Sequence, residues 1–291
     1  MAAPVFLGYD RAALDAQFNN RNKVPDFDTH LAFWAREGER ARALPGARLD
    51  VPYGAAPREL LNVFPAQGAR GPAPVLVYIH GGYWMSLTRA VSDFVALGFV
   101  PRGIAVVNID YTLVPQARLD TLVQQSRRAV AWVVANAASF GGDPSRVWIA
   151  GHSAGGHLTA AVAATDWAAQ GLGHGPRPAG GFAISGLHDL EPIRLCYLND
   201  TLGMDAAEAH RNSPIHLPAP ADGDWTLWVG GREGPEYLRQ TVALAAAWGS
   251  AGARRVRAEV IADRDHFSIV APLADPDEPA TEAIASALAG R

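Results

Sequence analysis

Cysteine occurs once in the 291 residues, as Cys196, which excludes an intrachain disulfide and a thiolate metal cluster. That residue is expected as a small buried apolar group. Lysine also occurs once, as Lys23 among 25 basic residues, and no function follows from it. A basic balance is missing: 25 Lys and Arg against 29 Asp and Glu give a net charge of −4. Nucleic acid and anionic membranes both need a basic face, so neither is expected as a partner. The start, MAAPVFLGYDRAALDAQ, lacks a basic n-region ahead of an apolar stretch, and no signal peptide is expected. Long hydrophobic runs are absent too. The longest charge-free run, between Arg146 and Asp166, holds Gly151, His152, Ser153, Gly155, Gly156 and His157, too polar for hydrocarbon. No HExxH or paired His/Asp spacing marks one helix face. Gly141-Gly142-Asp143 precedes a strand instead of opening a helix, so it cradles no phosphate. The expectation is a cytoplasmic chain with no cofactor and no metal, acting on a small molecule, with a homodimer left open.

What is present is apolar and alternating. Hydrophobic residues make up 49% and charged residues 19%, enough for a sizeable core and too apolar for disorder. Residues 10–43 read as two helical pieces divided at Pro25 and Asp26, the second with a stripe of Leu31, Trp34 and Ala35. Strands are expected at 60–64, 75–79, 104–109, 147–150, 180–185, 225–230 and 256–261, with 68–74 a hairpin or loop. Helices are expected at 118–136, 153–167, 235–248 and 281–288. The third of these should bury Leu238, Val242, Ala245 and Trp248, with Pro235 in its first turn. Strands alternating with amphipathic helices imply a mostly parallel sheet covered on both faces. A typical domain has roughly 150 residues, but a large sheet of this kind absorbs twice that length. One domain over 1–291 is expected, with a helical segment at 1–45 and a small excursion at 186–224.

Gly151-His152-Ser153-Ala154-Gly155 fits G-x-S-x-G and sits between an expected strand and an expected helix. That context is the nucleophile elbow of α/β-hydrolases, where a serine hydroxyl is exposed on a sharp turn that flanking glycines permit. The helix start adds N–H groups and a positive dipole end beside a developing oxyanion. His80-Gly81-Gly82-Tyr83-Trp84 follows the 75–79 strand. Alone it reads as a Gly-Gly turn with His80 hydrogen-bonded in the loop. With the elbow 153 − 80 = 73 residues later, it reads as the loop that supplies oxyanion N–H groups.

The fold's chain order is Ser, acid, His. His266, just beyond the 256–261 strand, satisfies it. Glu233 is the first carboxylate after the 225–230 strand and is favoured as the acid over Glu236, which suits a helix first turn on dipole grounds alone. Asp263 and Asp265 are expected to shape the loop around His266. The elbow helix should aim His152 and His157 away from the serine oxygen. His174, His188, His210 and His216 are expected as solvated surface groups, and His30 to have no catalytic neighbour.

The chain resembles the kynurenine formamidase (arylformamidase) branch of the α/β-hydrolases. HGGYW at 80–84, GHSAGGHL at 151–158, GREGPEYLRQT at 231–241 and DHFSIV at 265–270 carry the resemblance. Softer similarity runs through LDAQFNNR at 14–21, NIDYTLVP at 108–115 and SGLHDLEPI at 185–193. The resemblance implies an α/β-hydrolase fold with a minimal cap, no cofactor, and a triad of Ser153, Glu233 and His266. By motif position Gly82, Tyr83 and Ala154 are the oxyanion donors, with Gly81 shaping the loop. The usual Asp at the acid position is here Glu233. Tyr83, Trp84 and Phe267 lie near the reacting carbon, and Trp84 and Phe267 are expected as substrate-pocket residues. The implied activity is hydrolysis of aryl formamides, against a general short-chain carboxylesterase or a non-catalytic binding protein on the same fold.

Overall fold

Val75, Val77 and Ile79 alternate with Leu76 and Tyr78, and all five side chains are buried. Such a run suits a strand covered on both faces, because successive side chains point to opposite sides. In the computed structural model, which describes residues 3–169, 177–252 and 255–290, the two sets enter different cores. Val75, Val77 and Ile79 join Leu122, Val130, Leu158 and Trp248, whereas Leu76 and Tyr78 join Trp34, Phe94, Val270 and Ile284.

The strands are β1 Arg48–Pro52, β2 Leu60–Phe64, β3 Ala73–Ile79, β4 Ala105–Ile109, β5 Gly142–His152, β6 Gly180–Ile184, β7 Asp224–Gly230 and β8 Val256–Ile261. Their order across the sheet is β1-β2-β4-β3-β5-β6-β7-β8. The β1–β2 and β2–β4 pairs are antiparallel, and from β4 onward every pair is parallel. The fold is that of an α/β-hydrolase. Helices α1 Arg11–Phe18, α2 Asn20–Lys23 and α3 Phe27–Arg42 precede the sheet, and α4 Ala96–Phe99 and α5 Leu119–Asn136 flank β4 in sequence. Helix α6 Ala154–Ala163 follows β5, and α7 Glu191–Arg194, α8 Asn199–Leu202 and α9 Ala206–Asn212 occupy the excursion. Helices α10 Pro235–Ser250 and α11 Pro279–Leu288 complete the chain.

Several expectations need correction. Of the 68–74 stretch, expected as a hairpin or loop, 68–72 is a loop and Ala73 and Pro74 already belong to β3; no hairpin forms, because β4 intervenes between β2 and β3. Strand β1 was not foreseen; it is an edge strand with mostly exposed side chains and so carries little apolar signal. Helix α6 stops at Ala163, short of Trp167. Helix α10 buries Tyr237, Thr241, Leu244 and Trp248 together with Glu236 and Gln240, and leaves Val242 56% exposed. Polar groups with satisfied bonds share that inward face, so the apolar pattern placed it wrongly. In α3, Ala35 is exposed, and Glu37, Gly38 and Ala41 extend the buried side from Trp34.

Candidate active site

A parallel sheet delivers the ends of β3, β5, β7 and β8 to one edge, and the loops there carry the polar side chains. Ser153 turns sharply out of β5 with φ 58° and ψ −118°. A non-glycine residue holds such a conformation only where its surroundings over-determine it. Here Ser153 N–H donates to the Ile184 carbonyl at 2.9 Å, and a Cβ on Gly155 would overlap the Ile79 carbonyl oxygen. The turn therefore needs glycine beside it. His266 Nε2 lies 3.0 Å from Ser153 Oγ, and His266 Nδ1 lies 2.7 Å from Glu233 Oε2. The other carboxylate oxygen of Glu233 accepts from Ser185 Oγ at 2.5 Å and from Gly230 N–H at 2.7 Å. All three residues are buried.

Glu236 sits elsewhere. It is buried on α10 and ion-paired with Arg239 at 2.9 Å. Asp265 accepts the Phe267 and Ser268 N–H groups, and Asp263 pairs with Arg232, so both shape the loop around His266.

The loop after β3 lies against Ser153. A Cβ on Gly81 would come within 2.9 Å of the His152 carbonyl oxygen and 3.2 Å of Ser153 Cβ. Gly82 adopts φ +100°, and Tyr83 and Trp84 also have positive φ. Among the described residues no hydrogen bond takes the N–H groups of Gly82 and Tyr83. His80 anchors the loop from beneath: its Nε2 is 3.1 Å from Asp110 Oδ1, and its ring stacks on Tyr111 at 4.3 Å. The Tyr83 hydroxyl donates to the Phe18 carbonyl at 2.6 Å and lies 2.8 Å from the Tyr237 hydroxyl, while Asn20 Nδ2 donates to both phenols. Burial, with Tyr237 beside it, raises the Tyr83 phenol well above its ordinary value, so it stays a neutral hydrogen-bonding group. The N-terminal helices thus clamp the loop.

A cleft of about 450 Å³ opens beside Ser153, a size suited to a small organic ligand. Phe27, Leu31 and Trp34 of α3, Tyr78, Met85, Phe94, His152 and Phe267 form much of its wall. Phe267 lines this cleft. Trp84 does not: it is fully buried in the core, donating Nε1–H to His157 Nδ1 at 3.2 Å. Its indole packs edge-on against the His157 ring, 5.1 Å between centroids, behind the loop and away from the cleft. The contribution of α3 was missed by sequence reading, although LDAQFNNR hinted at the segment before it.

The histidines sort differently from expectation. His157 is packed as anticipated, its Nε2 2.7 Å from the Asn212 carbonyl, and burial pushes it down to about 4. His152 does not point away: its ring is 4.7 Å from that of His266 and it lines the cleft. Burial, then the charge of His266, holds it well below the ordinary imidazole range, so it is neutral there. His188 is fully buried, not solvated, and burial pushes it down to about 3. His210 and His216 are exposed and stacked on each other. His30 stacks at 6.2 Å on Phe267, next to the site after all. His174 lies outside the described residues.

Several known proteins are similar to this chain. The BD-FAE family model matches residues 61–174. A kynurenine formamidase of Danio rerio is 36% identical over 84% of this chain and 83% of its own length. One from Salmo salar is 32% identical over 92% and 91%. The chain belongs to the kynurenine formamidase family. It is a hydrolase of amides or esters. A thioesterase candidate of Silicibacter sp. TM1040 superposes with TM-score 0.79 at 30% identity, covering 95% of this chain and 98% of the other. An esterase of Pyrobaculum calidifontis gives TM-score 0.70 at 18% identity over 100% and 99% of the two chains, a likeness of fold alone. Among the described residues, no helix of this family member is long and apolar enough to cross a membrane.

Proposed function

We propose that this chain hydrolyses aryl formamides of the N-formylkynurenine kind, and short aryl esters, through an acyl-enzyme. The carrying observation is the hydrogen-bond chain Glu233–His266–Ser153, with its 2.7 and 3.0 Å links, beside an aromatic cleft. Ser153 Oγ attacks the carbonyl carbon while His266 Nε2 takes its proton. Negative charge gathers on the carbonyl oxygen, where the Gly82, Tyr83 and Ala154 N–H groups receive it. Gly81 supports this role by bringing the loop backbone within side-chain distance of Ser153. His266 then returns the proton to the arylamine or phenol, which leaves. Water, deprotonated by the same imidazole, attacks the acyl-enzyme and releases formate or a short acid. Glu233 accepts the Nδ1 proton, fixes the tautomer and stabilises the imidazolium.

Phe27, Trp34 and Phe267 suit a planar leaving group, since aromatic faces stack well on aryl rings. The Gly81–Gly82 backbone lies close against Ser153, and there we place a small acyl group, formyl or acetyl. We read the whole chain, 1–291, as one working unit in the cytoplasm, its N-terminal helices forming one wall of the cleft. The test is a panel of N-formyl arylamines and p-nitrophenyl esters of rising chain length. Formate release, with ester activity falling steeply beyond butyrate, supports the reading. Comparable kcat/KM on long-chain esters, with no turnover of any aryl formamide, refutes it in favour of a carboxylesterase.

A further inference from the structure

The two edges of the sheet are built differently. An open strand edge is a template for pairing with another chain, and proteins commonly blunt it with proline or a bulge. Strand β1 is blunted: its register on β2 shifts between Arg48 and Val51, Asp50 has φ 56°, and Pro52 ends it. Strand β8, at the other edge, carries no proline, and its register on β7 runs unbroken from Val256 to Ile261. The carbonyls of Arg255 and Ile261 accept from the N–H groups of Trp225 and Gly231. Backbone groups alternate in direction along a strand, so Val256, Ala258 and Val260 turn theirs to the free edge.

Beside that edge α10 presents a face without charge. Residues 240–252 contain no Asp, Glu, Lys or Arg. Val242, Ala246 and Gly249 recur at helical spacing and are all exposed. Val256 packs on the same core as Tyr237, Leu244 and Trp248 of α10, so Ala258 and Val260 share that side of the sheet. Val260 is 55% exposed. A surface helix ordinarily turns charged groups to water, whereas charge is depleted at the centre of an interface.

We propose that β8 and the outer face of α10 bind a second copy of this chain, the two β8 strands pairing antiparallel about a two-fold axis at Ala258. The charges choose that register. Arg257 then stands opposite Glu259 of the second copy, and symmetry repeats the pair. An axis at Val256 would set Arg257 against Arg255, and one at Val260 would set Glu259 against Ile261. Within one chain Arg257 Nε already lies 3.0 Å from Glu259 Oε1, so the axis gathers four alternating charges. Val256 meets Val260 of the second copy, and the outward-facing residues exchange backbone hydrogen bonds. Both α10 helices come to one side of the joined sheet, where small side chains let them approach. The pairing is isologous and closes at two copies.

The test is sedimentation velocity. At micromolar concentration the parent should run at twice the chain mass, with single chains appearing on dilution. Val242→Glu places a carboxylate on the apolar face, and Arg257→Glu sets like charges opposite each other. Each should raise the dissociation constant by about tenfold or more. Neither residue lines the cleft, so an unchanged kcat on p-nitrophenyl acetate shows that the variants are folded. Glu259→Arg should disperse the dimer likewise, and an equal mixture of the Arg257→Glu and Glu259→Arg variants should regain the double mass. A general structural defect would not produce that rescue. A parent at single-chain mass, assembly beyond two chains, or a dimer indifferent to Val242→Glu or to Arg257→Glu overturns the proposal. A mixture of two active variants that stays at single-chain mass overturns the Ala258 register.

Discussion

Glu233→Gln should cost far more than the loss of one charge, because the local donors decide how the new amide must sit. Ser185 Oγ and Gly230 N–H both donate to Glu233 Oε1. In the variant these two donors hold the amide oxygen on their side. The amide NH2 is then forced to face His266 Nδ1, 2.7 Å away in the parent. A donor there makes Nδ1 the acceptor and moves the imidazole proton to Nε2. The nitrogen 3.0 Å from Ser153 Oγ then carries a proton and cannot take another. Such a tautomer reversal lowers kcat by about 10⁴-fold, roughly 5.5 kcal/mol of transition-state stabilisation. Glu236→Gln, whose carboxylate serves Arg239, should keep kcat within about threefold, the range of a change outside the reacting set. The assay is steady-state hydrolysis of p-nitrophenyl acetate, with thermal unfolding to confirm that both variants are folded. Retention of kcat within tenfold by Glu233→Gln, or an equal loss in Glu236→Gln, would refute the reasoning.

Ser153→Ala should lower kcat by at least about 10³-fold with little change in Tm, and abolish labelling by a fluorophosphonate; near-normal kcat would remove Ser153 from the mechanism. Trp84→Phe removes the bond to His157 and should lower unfolding free energy by about 1–2 kcal/mol, while KM for aryl esters stays put; a raised KM would return Trp84 to the pocket. Burial keeps His157 and His188 neutral down to about 4 and about 3. Unfolded, they take up protons near pH 6.5, so the unfolded chain binds more protons below that value and stability falls as pH drops. Urea unfolding at pH 5 should therefore show about 2 kcal/mol less stability per histidine than at pH 7.5; a flat profile would contradict their neutral burial.

The sequence by itself determined the elements whose physics is local. Strand β8 and helix α5 announced themselves by period, and a glycine-flanked serine between a strand and a helix can form only a few kinds of turn. Chain order then favoured His266 and Glu233, since a parallel sheet returns each strand end to the same edge. Tertiary structure decided what depends on direction. The Trp84 indole packs in the core against His157 while Phe267 faces the cleft, although both are aromatics beside a motif. Helix α10 buries Glu236 and Gln240 beside Leu244 because Arg239 and backbone N–H groups satisfy them, which no apolar periodicity encodes. The greatest separation in sequence lies between α3 and the site it walls. Phe27 meets Phe267 across 240 residues. No local pattern records that contact; it exists only once the N-terminal helices have closed over the carboxyl edge of the sheet.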